Sequence, residues 1–289
     1  MGQLQRVIEQ QIPSSPALDH EAEIKRIRDG GPLLLTDRDI SLHRWLDNQR
    51  QSGNSGYILS AQGSGISDSC QYYRMQHVKR RGTIIQLPVL VVYIQLHSNC
   101  SPSNLYMVLL QALNHQITTG KLRDKRPRTY GQLRKFGTQL LIVDDAEFLT
   151  YEAFCELVQV YSILKIPTIL SGNYCLHQIL QKGNRERVGN SFLDFHNYPP
   201  MTRDEMVDVI ESWEKEFLKW PAESELLNQS TAEELFKKTG GLKVPLFEIL
   251  KKAAILALEK GTYKITKEIV MSVLNNRNIP RIFQSEEKE

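Results

Sequence analysis

The chain has no apolar run near the roughly 20 residues that a membrane-spanning helix needs, and its opening, MGQLQRVIEQQ, has no apolar stretch of the signal-peptide kind. A cytoplasmic location is therefore expected. Its four cysteines, Cys70, Cys100, Cys155 and Cys175, contain no CxxC pair and no clustered histidine partner. That spacing argues against a disulfide framework and against structural zinc. Cys70, Cys155 and Cys175 lie among apolar or small residues and are expected to be buried packing. None of the seven histidines stands in HExxH or comparable ligand spacing, so no histidine-based metal centre is expected. Charge of one sign is also scarce, because a net +3 is too small to argue for a nucleic-acid partner.

What is present is the composition of a globular protein, 289 residues with 41% hydrophobic and 24% charged, enough for one large or two small domains. Residues 1–18 read as an extension closed by Pro13, Ser14, Ser15 and Pro16, and a charged helix follows to about Arg28. Thr36 with Asp39 three residues later resembles a capping box, opening a helix with Ile40, His43, Trp45 and Leu46 near one face. Tyr57-Ile58-Leu59 is a short buried strand, the loop SAQGSG (Ser60 to Gly65) follows, and a helix carries Tyr72, Tyr73 and Met75 into the basic cluster Lys79, Arg80, Arg81, which suits a solvated helix end.

Pro88 to Leu96 reads as one continuous strand covered on both faces, and a helix runs from about Pro102 to Ile117. Between Lys121 and Lys135 seven cations face the single acid Asp124, a local net +6, read as a basic loop leading to a short helix near Tyr130 to Phe136. QLLIVD (Gln139 to Asp144) is a second fully buried strand, Tyr151 to Leu164 an amphipathic helix and Ile166 to Ser171 a further strand. Strands alternating with helices of this length predict a parallel α/β sheet flanked by helices. After Pro199-Pro200 only helical patterns remain, so the expected organisation is a core over 19–199, a helical lid domain over 200–278 and a flexible tail over 279–289. Trp45, Trp213 and Trp220 sit at helical spacing from apolar residues, as core or interface aromatics do.

Two segments carry chemistry. A phosphate-binding loop needs G-x-x-x-x-G-K-[ST] between strand and helix, so that backbone amides cradle phosphate, the lysine offsets its charge and the hydroxyl holds Mg²⁺. SAQGSGIS has the strand-loop-helix setting, but places Ser60 at the first glycine, Gly65 at the second, Ile66 at the lysine and Ser67 at the hydroxyl. The amides of Gly63, Ser64 and Gly65 remain, while the cation that phosphoryl transfer relies on is gone. LLIVDDAE (Leu140 to Glu147) ends an apolar strand in two carboxylates. Asp144 suits the Mg²⁺-holding role of a Walker B motif, with Asp145 one methylene shorter than the usual water-polarising Glu.

Several segments together resemble the TnsC/TniB-type AAA+ regulators of cyanobacterial transposons, in particular those associated with type V-K CRISPR systems. These are HRWLDNQR (His43 to Arg50), CQYYRMQH (Cys70 to His77), VVYIQLHSNCSP (Val91 to Pro102), LLIVDDAEFL, VIESWEKEFLKWP (Val209 to Pro221) and GGLKVPLFEILKKAAILAL (Gly240 to Leu258). The resemblance implies an AAA+ fold with a small helical domain, helical oligomers on duplex DNA, and recruitment of a transposase and a TniQ-type partner. Carried over by position, Asn173 falls near sensor 1, Arg185 or Arg187 near the arginine finger, and Ser103, Lys121 and Arg123 at DNA-contacting segments. An Arg expected before Leu246 is absent, since Val244-Pro245 stands there.

With the loop lysine, the first loop glycine and the lid arginine all replaced, the leading reading is a degenerate ATPase that still oligomerises and binds DNA or partner proteins as a scaffold. On that reading no cofactor is required, and only weak ATP or ADP with Mg²⁺, through Gly63, Ser64, Gly65, Ile66, Ser67 and Asn173, is expected. The alternatives are an active DNA-binding ATPase, with Asp144 on Mg²⁺, Asp145 polarising water and Arg187 supplied in trans, or a filament or interaction paralogue that needs neither nucleotide nor DNA.

Overall fold

The computed structural model describes residues 20–32, 34–81, 84–181 and 186–275. After helix α1 (His20–Asp29), helix α2 (Asp37–Ser52) begins at Thr36, and the expected capping box is formed: the Thr36 amide donates to Asp39 Oδ2 at 2.8 Å. There follow β1 (Gly56–Ser60), α3 (Ile66–Gln76), β2 (Val78–Arg81), β3 (Ile84–Val89), β4 (Val91–Gln95), α4 (Pro102–Ala112), α5 (Leu122–Lys135) and β5 (Leu140–Asp144). A single 3₁₀ turn (Ala146–Phe148) precedes α6 (Tyr151–Leu164), β6 (Thr168–Asn173), α7 (Cys175–Gln181), α8 (Glu186–Gly189) and β7 (Asp194–Tyr198). The remainder is helical: α9 (Arg203–Ser212) continuing into a π-helical segment (Trp213–Leu218), then α10 (Gln229–Thr239), α11 (Lys243–Glu259) and α12 (Lys267–Asn275).

The sheet order is β4-β5-β6-β1-β7, and every neighbouring pair is parallel. All five carboxyl ends therefore lie along one edge. Strand residues alternate between two apolar clusters, as a sheet covered on both faces requires. Val92, Ile94, Leu141, Val143 and Leu170 join α4, α5 and α6 on one face. Val91, Tyr93, Leu140, Ile142 and Ile169 join Leu42 and Leu46 of α2 and Cys70 and Tyr73 of α3 on the other. A third cluster holds α9 to α12 together around the fully buried Trp213, and it includes Ile27 of α1 and Leu34. Thus α1 packs on the C-terminal helices and not on the sheet, with Arg26 Nη1 donating to the Phe217 carbonyl at 2.8 Å and Trp220 Nε1 to Glu23 at 2.9 Å.

Several local expectations are corrected. The basic stretch is one helix, α5, with Lys121 at its N-cap. Leu122, Lys125, Thr129, Tyr130 and Leu133 recur at helical spacing and turn inward, and that stripe outweighs Pro127 and the charge. Lys79, Arg80 and Arg81 belong to β2, since the isoleucine-rich segment after them pairs with it antiparallel, Arg80 opposite Ile85. Pro88 to Leu96 is divided at Leu90 between β3 and β4, which belong to different sheets. Helix α4 stops at Ala112, and Asn114 takes a left-handed conformation. Of the cysteines expected inside, Cys70 is buried, Cys155 partly exposed and Cys175 exposed, because Leu176 takes the inward position at the start of α7.

Candidate functional site

Strand register brings the two chemical segments to the same edge. Ser60, at the end of β1, lies opposite Asn173 of β6, and Asp144, at the end of β5, lies opposite Gln95 of β4. With β6 between β1 and β5, the glycine loop and the carboxylates flank the Asn173 strand end. Crevices at the carboxyl ends of parallel strands are where α/β sheets bind ligands.

The loop itself is closed in by its own chain. Gly63 (φ 80) and Gly65 (φ 91) adopt conformations that favour glycine. The Ser64 amide donates to the Ala61 carbonyl at 3.1 Å, and the Ser64 carbonyl accepts from Arg38 Nη2 at 2.9 Å. Arg38, whose Nη1 also donates to the Pro199 carbonyl at 2.8 Å, is buried over the Tyr198 ring. Ile66 packs into the cluster under the sheet with Leu42 and Cys70, and Ser67 is half-buried in the first turn of α3. From the other side the start of α11 lies on the loop: the Val244 amide donates to the Gly63 carbonyl at 3.0 Å, and the side chain of Lys243 covers Gly65. A side-chain carbon on residue 65 would sit 2.6 Å from Lys243 Cδ.

Lys243 is only 3% exposed, and its amine donates to the Leu34 carbonyl at 3.1 Å. Burial pulls its pKa below the ordinary lysine value; Asp39 and Asp68 oppose that pull and Arg38 adds to it. Beside it opens a cleft of about 340 Å³ lined by Gly31, Pro32, Asp68, Lys243, Phe247 and Lys251, among others.

On the β5 side Asp144 is buried. Its Oδ2 accepts from the Tyr93 hydroxyl at 2.6 Å and its Oδ1 from the Asp145 amide at 3.1 Å. Asp145 has a left-handed backbone (φ 53) and accepts from Gln95 Nε2 at 2.9 Å. Burial raises its pKa, the Gln95 bond opposes this, and Asp144 adds to the rise. Glu147 is the acid that the two-carboxylate reading leaves out. Its Oε1 accepts from Asn173 Nδ2 at 2.6 Å, so Asn173 is paired with Glu147 and not with Asp144 or Asp145. Glu147 Oε2 is buried without a hydrogen-bond partner, and burial, then Asp145 and Asp144, raise its pKa. A third acid, Glu147, within three residues of the strand-end Asp144 is the signal that could have found it. For Lys243 the signal is a lysine at the first position of an apolar helix.

Other candidate residues are elsewhere. Arg185 lies outside the described residues, and of Arg187 the backbone alone, in α8, is described. Ser103, in the first turn of α4, accepts from the buried Lys125 amine through its carbonyl (3.2 Å) and hydroxyl (3.0 Å). Arg126 is paired with Glu156, and Arg128 donates to the Thr119 carbonyl at 3.1 Å. Of the seven cations between Lys121 and Lys135, Lys121, Arg123, Arg134 and Lys135 remain exposed, Arg123 within 3.7 Å of Asp124. Among the described residues no three His, Cys, Asp or Glu side chains are arranged to hold a metal ion, and no helix is long and apolar enough to cross a membrane.

Residues 49–180 match a protein-family profile described as an AAA domain. No curated protein sequence matches the chain. Among solved structures, the ORC2 protein of Aeropyrum pernix (ADPNP-ADP complexes) is similar at a TM-score of 0.63 and 12% identity, over 86% of this chain and 70% of that one. Cdc6p of Pyrobaculum aerophilum gives 0.60 and 18%, over 90% and 69%. The Aeropyrum pernix ORC1 protein in complex with DNA gives 0.61 and 14%, over 84% and 65%. The fold is the AAA+ P-loop fold, a parallel five-stranded sheet flanked by helices.

Proposed function

We propose that the chain is an AAA+-fold scaffold that assembles with copies of itself and binds duplex DNA or partner proteins without efficient ATP hydrolysis. Its parts are a core built on the parallel sheet and a helical lid from about residue 200, with α1 packed on the lid side. The observation that carries this reading is Ile66. The position that must place a cation against transferring phosphate holds an apolar side chain packed into the core, and electrostatic stabilisation is the main catalytic contribution in phosphoryl transfer.

The surroundings agree. A Mg²⁺-bound triphosphate needs loop amides open to it and an acid free to hold the metal. Here the loop is covered by α11, and both oxygens of Asp144 already accept bonds within the chain. What that group lacks here is the cation at position 66, where Ile66 is packed into the core. For DNA, Lys121 and Arg123 at the start of α5 present exposed cations, all that phosphate contacts demand. Ser103 is engaged by Lys125 and serves to hold α5 against α4. The similar Aeropyrum pernix ORC1 structure is itself in complex with DNA. A transposase and a TniQ-like protein are the partners that the transposon-regulator resemblance suggests.

Steady-state phosphate release from the full chain with Mg·ATP, with and without duplex DNA, is expected at background. Release above background that disappears in Asp145→Asn overturns the proposal. Duplex binding is expected to be salt-sensitive and sequence-tolerant, and Lys121→Glu with Arg123→Glu should flatten the log–log salt slope by about 2 and weaken binding roughly tenfold or more. Affinity indifferent to salt and to both substitutions leaves protein partners alone as the scaffold's cargo.

A further inference from the structure

Both loop glycines have a use within the chain that requires no phosphate. Gly65 is the position where a side chain would collide with Lys243, and at Gly63 the Pro245 ring lies 3.5 Å from where a side-chain carbon would begin. Helix α11 also lacks a side-chain cap: Leu242 occupies its N-cap, so the first-turn amides need acceptors from elsewhere. The Gly63 carbonyl supplies one, taking the Val244 amide at 3.0 Å. The residue before that turn is held as well, the Met201 amide donating to the Gly241 carbonyl at 2.8 Å.

Lys243 completes the contact. Its aliphatic stem lies over Gly65 and its amine reaches the Leu34 carbonyl, so one side chain spans from the glycine loop to the segment before α2. A buried lysine amine with a backbone carbonyl as its hydrogen-bond partner is costly to hold. Its depressed pKa, caused first by burial, accords with that cost. The amine sits there because stem packing, the carbonyl bond and the nearby carboxylates of Asp39 and Asp68 together hold it.

We infer that the glycine loop serves as the seat of the lid: the Lys243 stem against Gly65 and the Val244 amide on the Gly63 carbonyl latch the lid onto the core without nucleotide. The inference rests on the proposed reading of the loop as a phosphate cradle no longer used for hydrolysis, and it assigns what that loop now holds. In an ATP-driven switch the lid closes on a nucleotide. In this chain the closed arrangement is built in, so assembly and binding surfaces are presented constitutively.

Hydrogen exchange of the full chain, resolved to the Val244 amide, tests the latch. That amide is expected to be protected without nucleotide and unchanged by millimolar Mg·ATP. Lys243→Ala should lower its protection roughly tenfold while amides of β5 stay as they were, and Lys243→Met, which keeps the stem and loses the amine, should lower it about threefold. Exchange at the rate of an open amide in the unsubstituted protein, or protection that appears only with Mg·ATP, overturns the inference even if no variant folds. Phosphate release measured in parallel separates the two claims. Turnover with a protected amide sinks the scaffold reading and leaves the latch, and no turnover with an open amide does the reverse.

Discussion

The two sides of the carboxyl edge differ in how their polar groups are satisfied. Beside β1, the carbonyls of Gly63 and Ser64 accept from Val244 and Arg38, and Lys243 and Arg38 are buried with acceptors of their own. Beside β5, three acids stand within four residues, Asp145 and Glu147 with raised pKa values, and Glu147 Oε2 is buried outside any well-formed hydrogen bond. Cations and acids that would face each other across a bound phosphate and metal are instead partnered separately. On the loop side the partners are groups from distant helices; on the strand side the acids lean on Tyr93, Gln95 and Asn173. Polar groups on the loop side are thus matched within the chain more fully than those on the strand side.

The largest test of this asymmetry is on the loop. Gly65→Ala meets both a left-handed backbone and the Lys243 stem, and should destabilise the full chain by about 3 kcal/mol. Gly63→Ala meets the same kind of backbone, with its nearest neighbour at an ordinary 3.5 Å, and should cost about 1 kcal/mol. Urea unfolding of the two variants measures the difference. Equal losses would mean that Lys243 does not press on residue 65, and the distinction between a matched loop and an unmatched strand end would fail on its better side.

What could be read from the chain alone was local. The Thr36–Asp39 cap, the doubly covered strand QLLIVD and the strand-loop-helix around Gly65 are each contained in a few residues, and each is found where expected. The α/β sheet and its flanking helices followed from their alternation. Where charge obscured an inward stripe, as in α5, or where a strand partner lay just beyond the segment, as for β2, pattern reading assigned the wrong element. The site was half legible. Asp144, Asp145, Asn173 and the loop could be named, but Lys243 lies 178 residues from Gly65 and Arg38 lies 26 residues from Ser64. Pairings of that range depend on how α2 and the C-terminal helices settle around the loop, which no local period encodes. The three DNA-contact candidates divided for the same reason: Lys121 and Arg123 stay exposed because they lie at the outer end of α5, while Ser103 is reached by a lysine one turn further along it.

The smaller test is on the strand side, and its sign follows from linkage. The folded pKa of Glu147 is raised above its ordinary 4.5, chiefly by burial. The protonated form is therefore favoured by folding; the associated stability is fully present below about pH 4.5 and is lost as pH rises through the folded value. Glu147→Gln removes that loss and keeps an oxygen to accept from Asn173 Nδ2. Because the residue is only half-buried, the gain at pH 7 is discounted to about 0.5 kcal/mol, and it should shrink toward zero below about pH 4. Thermal unfolding of both proteins from pH 4 to pH 8 reads this directly. A Gln variant that is less stable than the original at pH 7 would show that the Glu147 carboxylate is matched after all, and the contrast between the two sides of the edge would then rest on the loop alone.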